Sequence, residues 1–505
     1  MRSNLAKEVL VVLLVIGSSW ACSSGDSGEG AKDVPVQDTV GEDQLMPEVA
    51  PDVPTGTDLP DEDSGMPTLP PGKSFGTVFA AGAASVTING TKPDYLLGGY
   101  GLCLGKVEAC RISEGIHDDL MANAVALAHP ESGEVVILVG LDSVGLLGYD
   151  IKMLQDMVPK AFADELGVKM DGPRVVVGAS HSHDSPDTVG LWGPMDKKVR
   201  DEIEYIEYMQ QKVIEVAIAA YKNLGDIELV WGKSAVVNDD LDEFSDDHDV
   251  FVLQGKRPGG GASVFTWVRA NAHTTVYPME NNGLSADWVG PFRKKLMDSG
   301  FGVVVFHNGP IGSVYPKDPE VCEEEDAFPD GWKDPDLKPE DFAKVTCVGY
   351  EYADAALAAV AQAKPLSAEA GIKFRHVTYG FHPTNFALMQ LGVIGPLPIP
   401  NIDTKDFTQL MDSYFSWITI GELELLTTPG ESFPTFAAHA KEVLAQATEG
   451  TAIVLGLTQD WLGYLIPVKM WEDPALDYHR TISPGETVEP AYLEALQQLV
   501  DKEKE

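Results

Sequence analysis

The sequence has few positively charged residues for its length. Its 505 residues include 36 lysines and arginines against 78 aspartates and glutamates, which gives a formal net charge of −42. Proteins that bind nucleic acids need lysine and arginine to neutralise phosphates. The charge balance therefore excludes a nucleic-acid partner, and it fits a soluble exported protein.

Cysteine is also scarce, with five residues, and none of the spacings is that of a zinc finger. Besides Cys22 there are four cysteines, an even number that suggests two disulfides in an oxidising compartment. Proximity along the chain favours the pairs Cys103–Cys110 and Cys322–Cys347, although spacing alone does not establish connectivity. Four free thiols are the alternative.

Long hydrophobic runs are missing, and the N-terminal run VLVVLLVIG is too short for a comfortable transmembrane helix. Basic residues precede this run and the small-residue stretch SSWAC follows it, which is typical of a secretory signal. Ala21 and Cys22 resemble the lipobox of a bacterial lipoprotein. We therefore expect residues 1–22 to be a lipoprotein signal peptide and lipidated Cys22 to anchor the protein to a membrane outside the cytoplasm. An ordinary cleaved signal, which would leave a secreted protein, is the alternative.

Two further regions follow from composition. Residues 23–72 are rich in Gly, Ser, Pro, Asp and Glu and have few large apolar side chains. Such a segment cannot bury enough surface to offset its ordering entropy, so we expect a disordered acidic tether. Residues 73–505 are apolar enough for a large core and contain no second linker. They are predicted to form one large domain, which is longer than most single domains but within the range of single α/β domains.

Within this domain, strand-like and helix-like segments alternate without an internal repeat. The segment 201–225 has apolar residues three and four apart, which predicts an amphipathic helix. Runs such as EVVILVGL and PRVVVGAS predict buried strands. The pattern indicates an α/β fold, with a mixed-sheet α+β arrangement as the alternative. In open α/β sheets, ligands bind where the strands end.

Polar side chains collect after several of these predicted strands. The stretch VVVGASHSHDSPDT places His181 and His183 directly after a buried strand, and ANAHTT places His273 after another. Glu431 follows in LTTPGES. Further polar residues at strand ends are His307, Asn308, Asp460 and Tyr464. A single histidine at such a position is more often structural than a ligand, but the repetition favours a site. Imidazole and carboxylate are preferred donors to zinc, and a catalytic zinc needs about three protein ligands.

The order of these motifs resembles the neutral, non-lysosomal ceramidase family. GASHSHDSP resembles that family's GTHTHSGP, and ANAHTT with LSADWVG resembles its single-histidine strand followed by S-A-D. PGESF and GLTQDWLGY resemble two further motifs, and LLGGYG and VGLDSVGL two upstream segments. The resemblance spans roughly Gly82 to Arg480. It implies the family's catalytic domain alone, without the C-terminal β-sandwich domain.

Carried over residue by residue, the resemblance implies zinc ligands at His181, His273, Glu431 and Tyr464. It places His183 beside the Zn²⁺ as a catalytic imidazole, although the choice of His181 rather than His183 as the ligand stays open. Tyr464 is implied either as a ligand or as a neutral phenol that stabilises an oxyanion. The sequence departs from the family at Gly312–Pro316, where Tyr315 replaces the serine of the G-D-x-S-P-N turn and Ser313 replaces its aspartate.

The N-terminal segment predicts an exported, membrane-anchored protein, and the resemblance implies a zinc hydrolase that cleaves the amide bond of N-acyl sphingoid or related lipids. His-x-His also begins the metallo-β-lactamase superfamily motif and the barrel amidohydrolases. The first requires an Asp-His where Ser185 and Pro186 stand, and the second places the pair near the start of the domain. Other acyl or ester substrates remain open. The non-enzymatic alternative is a surface-tethered binding lipoprotein on a degenerate hydrolase scaffold, which Tyr315 favours.

Overall fold

The computed structural model describes residues 69–101, 110–193, 203–319, 337–367, 369–385 and 410–505. The predicted signal peptide, Cys22 and nearly all of the predicted tether lie outside these residues. Within them, no helix is both long and apolar enough to cross a membrane.

The longer strands form two mixed sheets, and the shorter ones form isolated pairs or an edge. The strands are β1 (Phe79–Thr87), β2 (Gly115–Ile116), β3 (Met121–His129), β4 (Glu134–Leu141), β5 (Val175–Ala179), β6 (Gly225–Ala235), β7 (Asp239–Asp240), β8 (Asp249–Lys256), β9 (Ser263–Ala270), β10 (Gly283–Leu284), β11 (Val303–Asn308), β12 (Val314–Tyr315), β13 (Lys364–Pro365), β14 (Ile372–Phe381), β15 (Met411–Ile420), β16 (Leu423–Thr427), β17 (Glu431–Ser432), β18 (Thr451–Leu455) and β19 (Tyr464–Leu465).

The helices cover the outer faces of these sheets. They are α1 (Gly148–Leu166), α2 (Ile203–Lys222), α3 (Val289–Asp298), α4 (Pro339–Ala361), α5 (Pro434–Leu444), α6 (Asp477–Thr481) and α7 (Val488–Glu503). Short 3₁₀ turns occur at Gly172–Arg174, Val468–Met470 and Pro474–Leu476.

The large sheet has the order β11-β9-β8-β6-β1-β3-β4-β5, with β13 paired to β6, and the smaller sheet has the order β14-β15-β16-β18. The pairs β4–β5, β9–β11 and β16–β18 are parallel, and the other neighbours in these two sheets are antiparallel. The large sheet bends so strongly that β11, at one end, packs against β3, β4 and β5 near the other. The predicted mixed α/β architecture is therefore confirmed.

The alternation of side chains along β4 shows how the layers form. Val135, Ile137 and Val139 point outward and pack with α1 and α2, whereas Val136 and Leu138 point inward. The inward residues meet the apolar face of the smaller sheet in a central core. Because successive strand residues face opposite sides, a strand that is apolar at every position is buried on both faces. The continuous apolar run of β4 is thus explained by helices on one side and a second sheet on the other.

Two apolar segments differ in how they are divided into strands. Gly225–Ala235 is one continuous strand. The segment around Ile418 is a hairpin of β15 and β16. Its turn contains Gly421 with φ of 58°, a left-handed conformation that glycine adopts without a Cβ penalty.

Cys110 and Cys347 each take part in a disulfide. Cys103 and Cys322 lie outside the described residues, so the pairs Cys103–Cys110 and Cys322–Cys347 stay predictions.

Candidate functional site

The structure brings together residues that follow two strands of the large sheet, β5 and β9, and residues of the separate strand pair β17–β19. His181 follows β5 by two residues and His273 follows β9 by three. Glu431 begins β17 and Tyr464 begins β19, and these two residues are paired in a parallel bridge. Strands far apart in the sequence therefore deliver four of the predicted site residues to one place.

Three of these residues form a compact buried group. His181, His273 and Glu431 are 2%, 1% and 2% exposed. The Oε2 atom of Glu431 lies 3.3 Å from Nε2 of His181 and 3.1 Å from Nε2 of His273. One ligand atom from each residue lies within 4.8 Å of the other two, and among the described residues this is the group of histidines, cysteines and carboxylates that could hold a metal ion.

The backbone fixes the orientation of both imidazoles. Nδ1 of His181 is 2.6 Å from the Val144 carbonyl oxygen, and Nδ1 of His273 is 3.0 Å from that of Val314. A carbonyl only accepts, so each Nδ1 carries the proton and donates it. Each Nε2 then faces the Glu431 carboxylate. Burial would lower the pKa of His181, but the charge of Glu431 and its hydrogen bond outweigh burial and raise that pKa above its ordinary value. Nε2 of His181 therefore donates to the carboxylate and would release this proton on binding an ion. Metal-binding histidines are typically held in this way through their other ring nitrogen.

His181 reaches this position through a strained backbone, because its φ of 68° lies in the left-handed region that non-glycine residues rarely adopt. Its backbone N–H donates to the Ser143 carbonyl at 2.9 Å, which holds the conformation. Strain of this kind concentrates at functional sites.

Glu431 is held ionised at the centre of the group. Burial would raise the pKa of its carboxyl, but the imidazoles of His181 and His273 outweigh burial and hold the pKa well below its ordinary value. Its second oxygen, Oε1, accepts a hydrogen bond from the indole Nε1 of Trp461 at 3.1 Å. The reasoning from sequence missed Trp461, although it directly follows Asp460 in a motif that had been singled out.

His183 lies beside the group rather than within it. Its Nε2 is 3.2 Å from Nε2 of His181, but its ring centroid is 6.5 Å from that of His273. Burial, together with the neighbouring His181 and His273, lowers the pKa of His183 well below its ordinary value, so the ring is neutral.

Tyr464 contacts the same carboxylate from the other side. Its hydroxyl hydrogen-bonds with Glu431, and the hydroxyls of Tyr315 and Tyr478 hydrogen-bond with it in turn. Burial first, and the charge of Glu431 second, raise the pKa of Tyr464 well above its ordinary value. In this arrangement Tyr464 is a neutral phenol, and its roles as a zinc ligand or as an oxyanion stabiliser stay predictions.

Tyr315 stacks on the imidazole of His273, with ring centroids 4.8 Å apart and an interplanar angle of 13°. Its hydroxyl lies 3.3 Å from Nε2 of His479, a buried histidine that the sequence did not single out. Ser313 is buried and donates to Asp240 Oδ1 at 2.6 Å, away from the three-residue group. The turn at 312–316 thus contributes an aromatic wall to the site.

The remaining polar residues at strand ends have structural roles. His307 lies inside β11, where its Nδ1 accepts a hydrogen bond from Trp267 Nε1 at 3.1 Å, and Asn308 donates to the Ala179 carbonyl at 2.9 Å. Asp460 accepts hydrogen bonds from Ser413 Oγ at 2.7 Å, from its neighbour Trp461, and from the Gly148 N–H at the start of α1. None of these three residues belongs to the metal-binding group.

The donor set fits zinc. Two neutral imidazole nitrogens and a carboxylate oxygen are the ligands of many catalytic zinc sites. Bonds of about 2.0–2.2 Å in tetrahedral geometry separate ligand atoms by roughly 3.3–3.5 Å. The observed separations of 3.1 and 3.3 Å are close to that value. The fold and this group define an α/β protein with a buried site that can hold a metal ion.

Comparison with solved structures shows which known fold this chain resembles. The chain is similar to neutral ceramidase from Pseudomonas aeruginosa, with a TM-score of 0.64 and 14% sequence identity over 84% of this chain and 75% of the other. A structure of a ceramidase complexed with C2 matches with the same TM-score and identity over 84% of this chain and 76% of the other. No protein-family model and no curated protein matches the sequence. The fold is therefore ceramidase-like, as the motifs implied.

Proposed function

We propose that the protein is a zinc-dependent hydrolase that cleaves an amide bond in N-acyl sphingoid or related lipids. The observation that carries this proposal is the convergence of Nε2 of His181, Nε2 of His273 and Oε2 of Glu431 in a buried group within 4.8 Å. The ceramidase-like fold supports the substrate class, because two solved proteins with a similar fold are ceramidases.

In this proposal His181, His273 and Glu431 hold the ion, which supplies Lewis acidity toward the substrate carbonyl. His183 handles the proton. Nε2 of its neutral ring, 3.2 Å from His181 Nε2, takes a proton from the attacking water and then delivers that proton to the departing amine nitrogen, so that the ring ends neutral. With Glu431 holding the ion, the Tyr464 O–H would turn from that carboxylate toward the oxyanion that develops at the carbonyl carbon. Its hydrogen bonds with Tyr315 and Tyr478 keep that hydroxyl in place.

A second candidate is a binding protein on the same scaffold. It is favoured by Tyr315, whose ring covers one face of the His273 imidazole and fills space beside the site. Such a protein would keep the fold and bind an amphiphile without cleaving it.

The decisive experiment measures zinc content and hydrolysis on the same full-length protein. We expect about one zinc per chain and turnover of a fluorescent ceramide that a chelator abolishes and added zinc restores. His273→Ala and Glu431→Gln should lose both zinc and activity. His129→Ala is the matched control, because its side chain hydrogen-bonds Ser132 at the surface and should keep both.

Two outcomes would contradict the proposal in different ways. A folded, zinc-free wild type supports the binding protein. A zinc-containing wild type that cleaves no N-acyl lipid rejects the lipid amidase and leaves a metallohydrolase of another acyl or ester substrate.

We further propose that the protein is exported and anchored through lipidated Cys22. The support is the lipobox-like sequence before Cys22. Incorporation of a labelled fatty acid into the wild type, but not into Cys22→Ser, would test the anchor. Equal labelling of both, or of neither, would reject it.

A further inference from the structure

The LLGGYG segment, which the proposed mechanism does not use, packs directly against His183. Gly99 has φ of 95°, and a Cβ atom placed on it would overlap the ring of His183 at Cγ. No L side chain fits there without displacing the imidazole. Two independent constraints, the left-handed backbone and the missing space, therefore require glycine at this position.

Tyr100 holds the same imidazole from a second direction. The two rings meet edge to face, with centroids 4.6 Å apart and an interplanar angle of 75°. The Tyr100 hydroxyl donates to the Tyr277 carbonyl at 2.8 Å, which fixes the phenol ring. Edge-to-face contacts of this kind are worth about 0.5–1.5 kcal/mol beyond burial and are specific in direction.

Arg111 ties the turn to the histidine. Its Nη1 donates to the Gly98 carbonyl at 3.2 Å and to the His183 carbonyl at 2.8 Å, and its guanidinium carbon lies 5.0 Å from the Tyr100 ring centroid. The backbone N–H of Gly98 donates to the Ser185 carbonyl at 3.0 Å. The turn and the segment that follows His183 are thus held together from both sides.

His183 differs from the two other histidines in how its ring is oriented. His181 and His273 are each oriented by a backbone carbonyl that binds Nδ1. Nδ1 of His183 is buried and has no hydrogen-bond partner among the described residues. Apart from the contact of its Nε2 with His181, its direction comes from packing, and Gly99 and Tyr100 provide that packing.

We propose that Gly99 and Tyr100 are positioning residues that aim Nε2 of His183 at the metal-binding group. The proposal rests on the proposed function for its catalytic meaning, but the orientation itself can be measured without any reaction. Neither residue is assigned a proton or a metal ligand.

The test compares Tyr100→Leu, Tyr100→Phe and Gly99→Ala with the wild type. Tyr100→Leu removes the ring edge, and we expect kcat to fall at least tenfold while KM stays within about threefold and zinc content is unchanged. Tyr100→Phe keeps the ring, so we expect this variant to retain most of the wild-type kcat. Tyr149→Leu, which changes an exposed tyrosine on α1, is the control and should behave as wild type.

Crystal structures of the same variants provide a readout that does not depend on activity. In Tyr100→Leu we expect the His183 ring to rotate away from its 3.2 Å contact with His181, and in Tyr100→Phe to keep it. If the Gly99→Ala protein folds, its His183 ring should be displaced. If it does not fold, the Tyr100→Leu structure tests the positioning role.

The outcomes separate the two proposals. A His183 ring that keeps its place in Tyr100→Leu overturns the positioning role, as do equal losses of kcat in Tyr100→Phe and Tyr100→Leu. A wild type without activity rejects the amidase, whereas the structures still judge the positioning role.

Discussion

At the scale of single residues, the metal-binding group depends on atoms that do not belong to it. Val144 and Val314 orient the two imidazoles through their carbonyls, and Trp461 occupies the carboxylate oxygen that does not face them. Such outer partners set the direction and basicity of the ligands. Removing one of these partners should lower the affinity for zinc without abolishing zinc binding.

Trp461→Phe tests this dependence. The substitution keeps most of the aromatic surface but removes the N–H that donates to Glu431 Oε1. We expect zinc affinity to fall about 10- to 100-fold, as for other partners of metal ligands. Competition with a chromophoric chelator measures the affinity. Trp231→Phe, which loses an indole bond to Glu422 far from the site, is the control. Equal affinities in Trp461→Phe and wild type would show that the bond is dispensable.

His307 gives the protein a defined sensitivity to acid. Burial lowers the pKa of His307 to about 3, whereas an unfolded histidine has a pKa near 6.5. Between these values the unfolded state binds the extra proton, so the free energy of unfolding falls as pH falls. The contribution is complete above pH 6.5 and is lost progressively toward pH 3, by about 1.4 kcal/mol per pH unit.

His307→Asn removes this titration while keeping an acceptor for the Trp267 N–H. The variant should be less stable than wild type at pH 7, and the difference should shrink by about 2 kcal/mol at pH 5. Urea unfolding at both pH values measures it. A difference that is independent of pH would show that His307 is protonated in the native state.

At the scale of secondary-structure elements, Arg269 links the two sheets. It lies in β9, is fully buried, and donates to the Val454 carbonyl of β18 at 3.0 Å. Its guanidinium binds both oxygens of Asp247 at 2.9 and 2.8 Å. Burial would raise the pKa of Asp247, but Arg269 and Lys441 together hold it below its ordinary value. This pair supports the strand that leads to His273.

Arg269→Met should therefore be strongly destabilising. Removing one partner leaves the Asp247 charge buried near Lys441 alone, and breaking buried pairs costs about 3–5 kcal/mol. Lys294→Met removes an exposed pair with Asp298 and should cost well under 1 kcal/mol. Urea denaturation of both variants measures the difference. Similar losses in the two would show that the buried pair is not a specific support.

The elements also show where reasoning from sequence stops. Apolar periodicity predicted the helix that appears as Ile203–Lys222, because that pattern is local. The helix Val488–Glu503 was not predicted, although it packs on the smaller sheet. The order of strands in the large sheet could not be predicted, since pairing β1 with β6 depends on contacts across more than 130 residues. Local patterns carry no information on such partners.

The same limit applies to the site. Four strand-end residues were predicted to meet, and the structure places His181, His273 and Tyr464 around the carboxylate of the fourth, Glu431. His307 and Asp460 also lie at the ends of predicted strands. The side chain of each is engaged in a hydrogen bond that supports the fold. Trp461, Tyr315 and His479 contribute through stacking and hydrogen bonds that arise only after folding.

At the scale of the whole molecule, two disulfides are predicted to add stability. Cys110 and Cys347 are disulfide-bonded, and peptide mapping without reduction should identify Cys103 and Cys322 as their partners. Each bond should contribute about 2–4 kcal/mol, so the melting temperature should fall on reduction. Fragments that link Cys110 to Cys347 would contradict the predicted pairing.

The start of the described chain has a practical consequence. Lys73 binds the carbonyls of Lys222 and Leu224, and Gly76 binds Asp226, where α2 ends and β6 begins. The other end of β6 leads to β7, which pairs with Tyr315 beside the histidines. β6 has 11 residues, and ten steps of about 3.3 Å put roughly 33 Å between its ends. The chain therefore enters the described domain far from the metal-binding group, and an affinity tag, fluorophore or solid support attached before residue 69 should leave that group accessible.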